Sequence, residues 1–167
     1  MFEPDIDEAL AWYTRLTTEF APGESQYFSS AAQKIHEYTA RTLSVGTVGA
    51  ILPGSDIAYS LSGRNLGEID LTLYPVDLMT AAFDHYEPRF AAQLKPSAPA
   101  LHAWKESGAD AGKRQWSAVR KVPVAPPLAP GAYLLEAESG DLKSKSLILV
   151  TDATLVLKAS TSRVVAW

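Results

Sequence analysis

Along residues 5 to 20 the apolar positions Ile6, Ala9, Leu10, Tyr13, Leu16 and Phe20 recur at three- and four-residue steps. That spacing predicts an amphipathic helix. Asp5 or Asp7 can cap its start, Glu8 adds negative charge to its first turn, and Ala21-Pro22-Gly23 stops it. A second helix is predicted from about Ser25 to Arg41, with Phe28, Ala31, Ala32, Ile35 and Tyr38 on one face. Two helices joined by a short Pro-Gly turn are expected to pack antiparallel.

The period changes from near four to two after Leu43. Ile57, Tyr59 and Leu61 alternate with Asp56, Ala58 and Ser60, and then Ile69, Leu71 and Leu73 alternate with Asp70, Thr72 and Tyr74. Each run predicts a half-buried strand. The Gly63-Arg64-Asn65-Leu66-Gly67 segment between them predicts a hairpin, so the two strands are expected to pair. From Asp77 to Leu94 the apolar positions Leu78, Ala81, Ala82, Tyr86, Phe90 and Leu94 predict a helix that Pro88 kinks or ends. Pro96 to Pro99 and Gly108 to Lys113 read as loops, which makes the middle of the chain an expected insertion on a β-module.

Strands are predicted again at Trp116 to Val122, at Gly131 to Glu138 and at Lys145 to Thr151, the last two joined by Ser139-Gly140-Asp141. Pro123, Pro126, Pro127 and Pro130 predict a stiff link before them. Thr154 to Ala159 and Arg163 to Trp167 read as a final strand pair. Regular spacing and turn chemistry predict an antiparallel β-sandwich, with Ile57, Tyr59, Leu61, Ile69, Leu71, Leu73, Tyr133, Leu135, Leu147 and Leu149 on its inner faces.

Composition narrows the function classes. A hydrophobic share of 47% in 167 residues is enough to build a core without staples. The net charge of −4 argues against a nucleic-acid footprint and against a polybasic membrane patch. With no cysteine, disulfides, thiolate zinc sites and thiol nucleophiles are excluded within these residues. No apolar run reaches the length of a membrane span. The start Met1-Phe2-Glu3-Pro4-Asp5 shows no secretory leader, which predicts the cytoplasm if Met1 is the true start. The apolar ending Arg163-Val164-Val165-Ala166-Trp167 predicts a chain cut within a strand, the alternative being a terminal strand docked in a sheet.

Candidate chemistry is sparse. His36, His85 and His102 show no metal-ligand spacing. Glu136 and Glu138 lie two apart on one strand face, where a glycosidase would need carboxylates opposed across a substrate. The serines, among them Ser25, Ser29, Ser30, Ser60, Ser62, Ser117, Ser144 and Ser146, stand in no nucleophile motif. Gly46-Thr47-Val48-Gly49 is too short for a phosphate loop and lacks its lysine. Trp12, Trp104, Trp116 and Trp167 are expected in packing, with a sugar-stacking platform as the competing use.

Three motifs resemble the N-terminal region of bacterial α2-macroglobulin-like proteins. One is Gly63-Arg64-Asn65-Leu66 followed by Ile69-Asp70-Leu71-Thr72-Leu73-Tyr74-Pro75-Val76-Asp77-Leu78. Another is Leu128-Ala129-Pro130-Gly131-Ala132-Tyr133-Leu134-Leu135, similar to the proline-glycine-x-tyrosine strand of macroglobulin-like domains. The third is Leu147-Ile148-Leu149-Val150-Thr151-Asp152 with Leu155-Val156-Leu157-Lys158, similar to an exit strand and the entry to a following domain. The helical pair resembles the tetratricopeptide-like helices that can precede such modules. The resemblance implies a mainly β chain with some α: a helical hairpin over residues 1–42, a macroglobulin-like, immunoglobulin-like sandwich over 43–151 with a helical insertion at about 76–113, and the first hairpin of a following β-module over 152–167.

Family members trap proteases by collapsing around them when a bait segment is cleaved, and some carry a thioester. Without a cysteine this chain cannot hold that thioester. The resemblance therefore implies a non-catalytic scaffold segment, periplasmic or extracellular, with no catalytic, metal or cofactor-binding residue. Its partners would be neighbouring domains of the same protein and, through the full-length molecule, a target protease. The alternative is a free-standing β-sandwich that binds a carbohydrate or an adhesion ligand.

Overall fold

The computed structural model describes residues 5–78, 90–108, 115–153, 157–159 and 164–166. Among them the chain is mainly β, with few helices and two principal sheets, an arrangement compatible with a β-sandwich.

Two helices come first, α1 (Ile6–Glu19) and α2 (Phe28–Thr39). Asp5 is the cap of α1: its Oδ1 accepts from the backbone N–H of Asp7 and of Glu8 at 3.0 and 3.2 Å, satisfying two donors that helix geometry leaves open. The second helix starts at Phe28, the first of its apolar positions and three residues after the expected start at Ser25. Glu24 accepts from the Ala21 N–H at 2.6 Å and Ser25 from the Tyr27 N–H at 3.2 Å, and these local bonds hold a turn that competes with the helix. The helices touch, with the Tyr13 and Tyr38 ring centroids 6.3 Å apart, and Leu10 and Ala31 are their buried residues.

One sheet has the order β1-β3-β6, from β1 (Thr42–Thr47), β3 (Ala58–Arg64) and β6 (Gln115–Lys121), all antiparallel. The other has the order β2-β8-β7-β4-β5, from β2 (Ala50–Ile51), β4 (Glu68–Val76), β5 (His102–Ser107), β7 (Gly131–Ser139) and β8 (Leu142–Val150). Its pairs are antiparallel except the short parallel match of β2 with β8. The β7–β8 hairpin turns at Gly140, whose φ of 63° no β-branched residue would tolerate. A separate antiparallel pair, β9 (Leu157–Ala159) with β10 (Val164–Ala166), closes the described chain where a final pair was expected.

The expected pairing of β3 with β4 does not occur. β3 pairs with β1 and β6, whereas β4 pairs with β5 and β7. The segment Asn65–Gly67 is therefore an arch from one sheet to the other, not a hairpin. Tyr59 and Leu61 of β3 and Ile69, Leu71 and Leu73 of β4 all enter one core, facing each other across the two layers. Alternation specifies which side chains are buried, and it does so equally well for strands that pair and for strands that face. Leu66, at the arch, is itself buried in that core.

A second correction concerns β8. Its inward residues are Ile148 and Val150, not Leu147 and Leu149. Four consecutive apolar residues carry no alternation, and a one-residue slip exchanges the faces. Leu147 packs on the outer side of the sheet with Val76, Leu94 and Leu134, in a small second cluster. That cluster explains why Leu134 is fully buried between two inward neighbours.

The middle of the chain contributes to the sheet. β5 lies within the span expected as an insertion, and it pairs along β4 from Leu73↔His102 to Glu68↔Ser107. Of the helix expected over 77–94, Asp77 and Leu78 are not helical, α3 covers Phe90–Gln93, and residues 79–89 lie outside the described residues. The strand β1 was not expected: Leu43 and Val45 do alternate with Ser44 and Gly46, but two apolar positions make too short a run to stand out.

Candidate functional site: the joint between helices and sheets

The end of α2 meets the β-module at the arch. Asn65 adopts φ 53°, a left-handed conformation that asparagine tolerates better than most residues. This turns its side chain back toward the helix. Asn65 Nδ2 donates to the carbonyls of Tyr38 and Ala40 at 2.8 and 3.2 Å. Arg64 Nη1 donates to the Glu37 carbonyl at 2.5 Å, and Nη2 to Gln115 Oε1 at 2.7 Å. The guanidinium also lies 5.8 Å from the Tyr38 ring centroid. Adjacent residues of the arch thus take up carbonyls that the last turn of a helix leaves without partners. The positive charge of Arg64 sits where the helix dipole is negative.

Arg41 fastens the other side of the same joint. Its Nη1 reaches Asp141 Oδ1 at 2.7 Å and its Nη2 the Ser139 carbonyl at 2.8 Å, both at the β7–β8 turn. Buried Ser139 in turn donates to the Glu68 carbonyl at 2.8 Å, carrying the link into β4. Nearby, Lys34 donates to Glu37 at 2.6 Å, and this bond holds the Glu37 carboxyl below the usual carboxylate range.

No family model matches the chain, and no curated protein matches it.

Across the layers a second polar cluster lies between β3, β5 and β6. Trp104 Nε1 donates to Tyr59 Oη at 3.1 Å, and Tyr59 Oη donates to Glu106 Oε1 at 3.0 Å. Arg120 approaches the other Glu106 oxygen at 3.7 Å. Burial is the chief cause that pushes the Tyr59 hydroxyl up to about 12. The cluster joins the two sheets through matched donors and acceptors.

The residues weighed for chemistry are dispersed. His36 is exposed on α2, His102 stacks on Trp104 at 5.6 Å between ring centroids, and His85 lies outside the described residues. Among the described residues no group of three or more metal-ligating side chains is arranged to hold an ion. Glu136 does not simply face solvent: its side chain is 13% exposed and lies 3.3 Å from Lys145 and 3.7 Å from Lys143. Lys143 also bonds Glu138 and thereby holds that carboxyl below the usual range. Two carboxylates drawn onto shared lysines on one sheet face are not opposed across a cleft. An open hollow of about 330 Å³ is bordered by Gly67, Glu68, Lys105, Glu106 and Ser107, with Lys105 ion-paired to Glu68.

Ser144 and Ser146 serve as connectors between the sheets. Ser144 Oγ accepts from the Val45 N–H at 3.0 Å, and Thr47 Oγ1 lies 2.8 Å from Ser146 Oγ and donates to the Leu147 carbonyl at 2.7 Å. These bonds tie β1 of one sheet to β8 of the other. Trp116 is buried in the core, whereas Trp12 is 60% exposed beside Arg15; Trp167 lies outside the described residues. Among the described residues no helix is long and apolar enough to cross a membrane.

Sequence reasoning did not find the joint. The available signal was the single asparagine of the chain standing next to an arginine, between two glycines, at a change of strand.

Proposed function

We propose that this chain is a non-catalytic scaffold segment of a large bacterial α2-macroglobulin-like protease-trapping inhibitor that works outside the cytoplasm. The observation that carries the reading is the use made of Arg64 and Asn65. In the motif on which the resemblance rests, both polar side chains hold the end of α2. Residues so engaged act as structural fasteners, as a scaffold requires.

Strand order supports an immunoglobulin-like assignment of residues 43–151. In that lettering β1, β3 and β6 take the A, B and E places, and β4, β7 and β8 the C, F and G places. β5 lies beside β4. The proline-glycine-x-tyrosine motif falls at the start of the F strand, where Tyr133 Oη donates to the Ala129 carbonyl at 2.8 Å. A tyrosine bonded back to the upstream backbone at the E–F corner is a recurrent device of such sandwiches. The helical pair, read as a tetratricopeptide-like hairpin, precedes this module, and β9–β10 is read as the first hairpin of the next one.

The test uses the full-length protein incubated with an endoprotease such as trypsin. A trap leaves the captured protease active on a small peptide substrate and inactive on a protein-sized one. The 167-residue chain alone leaves both activities unchanged. Equal loss of both activities with the full-length protein, or loss of neither, overturns the trap. Inhibition by the short chain overturns the scaffold role.

A further inference from the structure

We propose that Arg64 and Asn65 form a latch that fixes the helical pair in one orientation on the β-module, and that releasing it lets the pair swing as one body about the Ala40–Arg41 link. The inference needs only the geometry of the joint and stands apart from the trap reading.

Three observations carry it. First, the contact is narrow. Among the described residues, no strand packs broadly along α1 or α2, whereas the two helices pack broadly on each other. No side chain of α1 or α2 belongs to or packs against the described core clusters of the β-module, so an apolar interface of many small contacts does not hold the helices in place. Second, the connection is a short stretch of extended backbone. α2 ends at Thr39, Ala40 has φ −61° and ψ 138°, and β1 begins at Thr42. Changes at a few residues at the end of an element suffice for rigid-body motion. Third, hydrogen bonds from two adjacent residues bridge the joint, and their acceptors are the carbonyls of Glu37, Tyr38 and Ala40. The Glu37 and Tyr38 carbonyls are neighbours in the last turn of α2, so those two bonds are lost together when the helix leaves the arch, while the Ala40 carbonyl lies at the link itself.

The latch has a defined chemistry. Its helix-side acceptors are backbone carbonyls, which neither titrate nor depend on side-chain identity. Arg64 is anchored from behind by Gln115, which keeps its fork aimed at the helix. The exposed Arg41–Asp141 pair adds a weaker, salt-screened tether on the other side of the link. Opening therefore does not depend on the protonation of these helix-side acceptors.

Because the acceptors are main-chain atoms, the donors are the groups to change. Asn65→Gly deletes both of its bonds while keeping the left-handed turn. Arg64→Lys keeps the charge and stem but loses the fork. The chain has no cysteine, so nitroxide labels can be placed at exposed Ala11→Cys on α1 and exposed Val119→Cys on β6. Pulsed electron-spin measurements then read the distance between the helices and the sheets. The expected result is one narrow distribution for the labelled parent and a broad one for the Asn65→Gly/Arg64→Lys variant, with an unchanged distance between labels at Ala11→Cys and Gln33→Cys within the helical pair. A parent distribution that is already broad overturns the proposal, as does a variant as narrow as the parent. If the double variant loses its cooperative melting transition, Asn65→Gly alone is measured against the same two outcomes. Neither result bears on protease capture, so failure of the latch and failure of the trap are separable.

Discussion

Tyr133 Oη donates to the carbonyl of Ala129 at 2.8 Å and so fastens the proline-rich connection after β6 to the strand that follows it. Leu128, next to that carbonyl, is buried in the core, as is Val122 at the other end of the connection. The bond holds a segment that has no sheet of its own. Tyr133→Phe keeps the ring and removes the donor, and it is expected to cost about 1 kcal/mol. Urea unfolding measures it as a lower midpoint with an unchanged slope. A change in slope would mean that the connection also opens in the native state.

Tyr59 links the sheets through its hydroxyl, and Tyr59→Phe leaves the Trp104 N–H and Glu106 without that partner. Its expected cost at neutral pH is about 1 to 3 kcal/mol, since buried groups left unpaired lose more than a bond's net worth. The same residue gives a pH signature. The hydroxyl titrates near 10 when unfolded and is pushed up to about 12 when folded. A raised folded value favours the protonated form in the native state. Its contribution is therefore complete below pH 10 and is lost as pH rises to about 12. The difference in stability between parent and Tyr59→Phe should shrink across that interval and stay flat between pH 6 and 9.

The facing of β8 gives a paired comparison. Ile148 is fully buried in the principal core, while Leu149 points outward and stays partly in water. Ile148→Ala is expected to cost about 2 to 4 kcal/mol, and Leu149→Ala less than about 1.5 kcal/mol. Thermal melts of the two variants rank them, and the reverse order would require the other register.

At the arch, Gly108 donates to the Gly67 carbonyl at 2.5 Å. A β-carbon there would collide with that carbonyl and with Leu66 Cβ, and backbone atoms cannot swing aside. Gly108→Ala is expected to destabilise by about 2 kcal/mol through overpacking. Amide hydrogen exchange should show its effect spreading first to Leu66 and Asn65, next to the joint.

Local spacing makes the helices and most strands legible. Asp5 before an i, i+3, i+4 stripe specifies α1, and the alternation from Ile69 to Leu73 specifies β4. The β7–β8 hairpin is legible because Ser139-Gly140-Asp141 can turn only where glycine permits a positive φ. β5 is harder to see, because its inward residues are His102, Trp104 and Glu106, whose polar atoms hide the period. The joint is harder still, since backbone carbonyls are acceptors at every residue and leave no mark in the sequence.

The sequence by itself determined which side chains turn away from water along β3 and β4, and that no cysteine chemistry operates within these residues. Those are properties of local spacing and composition. Only the tertiary structure decided that Gly63-Arg64-Asn65-Leu66 leads into an arch, that β3 and β4 face each other instead of pairing, and that Arg64 and Asn65 close on α2. The physical reason is that alternation fixes the face of a strand but not its neighbour. The neighbour is chosen by the closure of the whole core, which places Leu66 between the layers and leaves the two polar residues before it directed at the helix end.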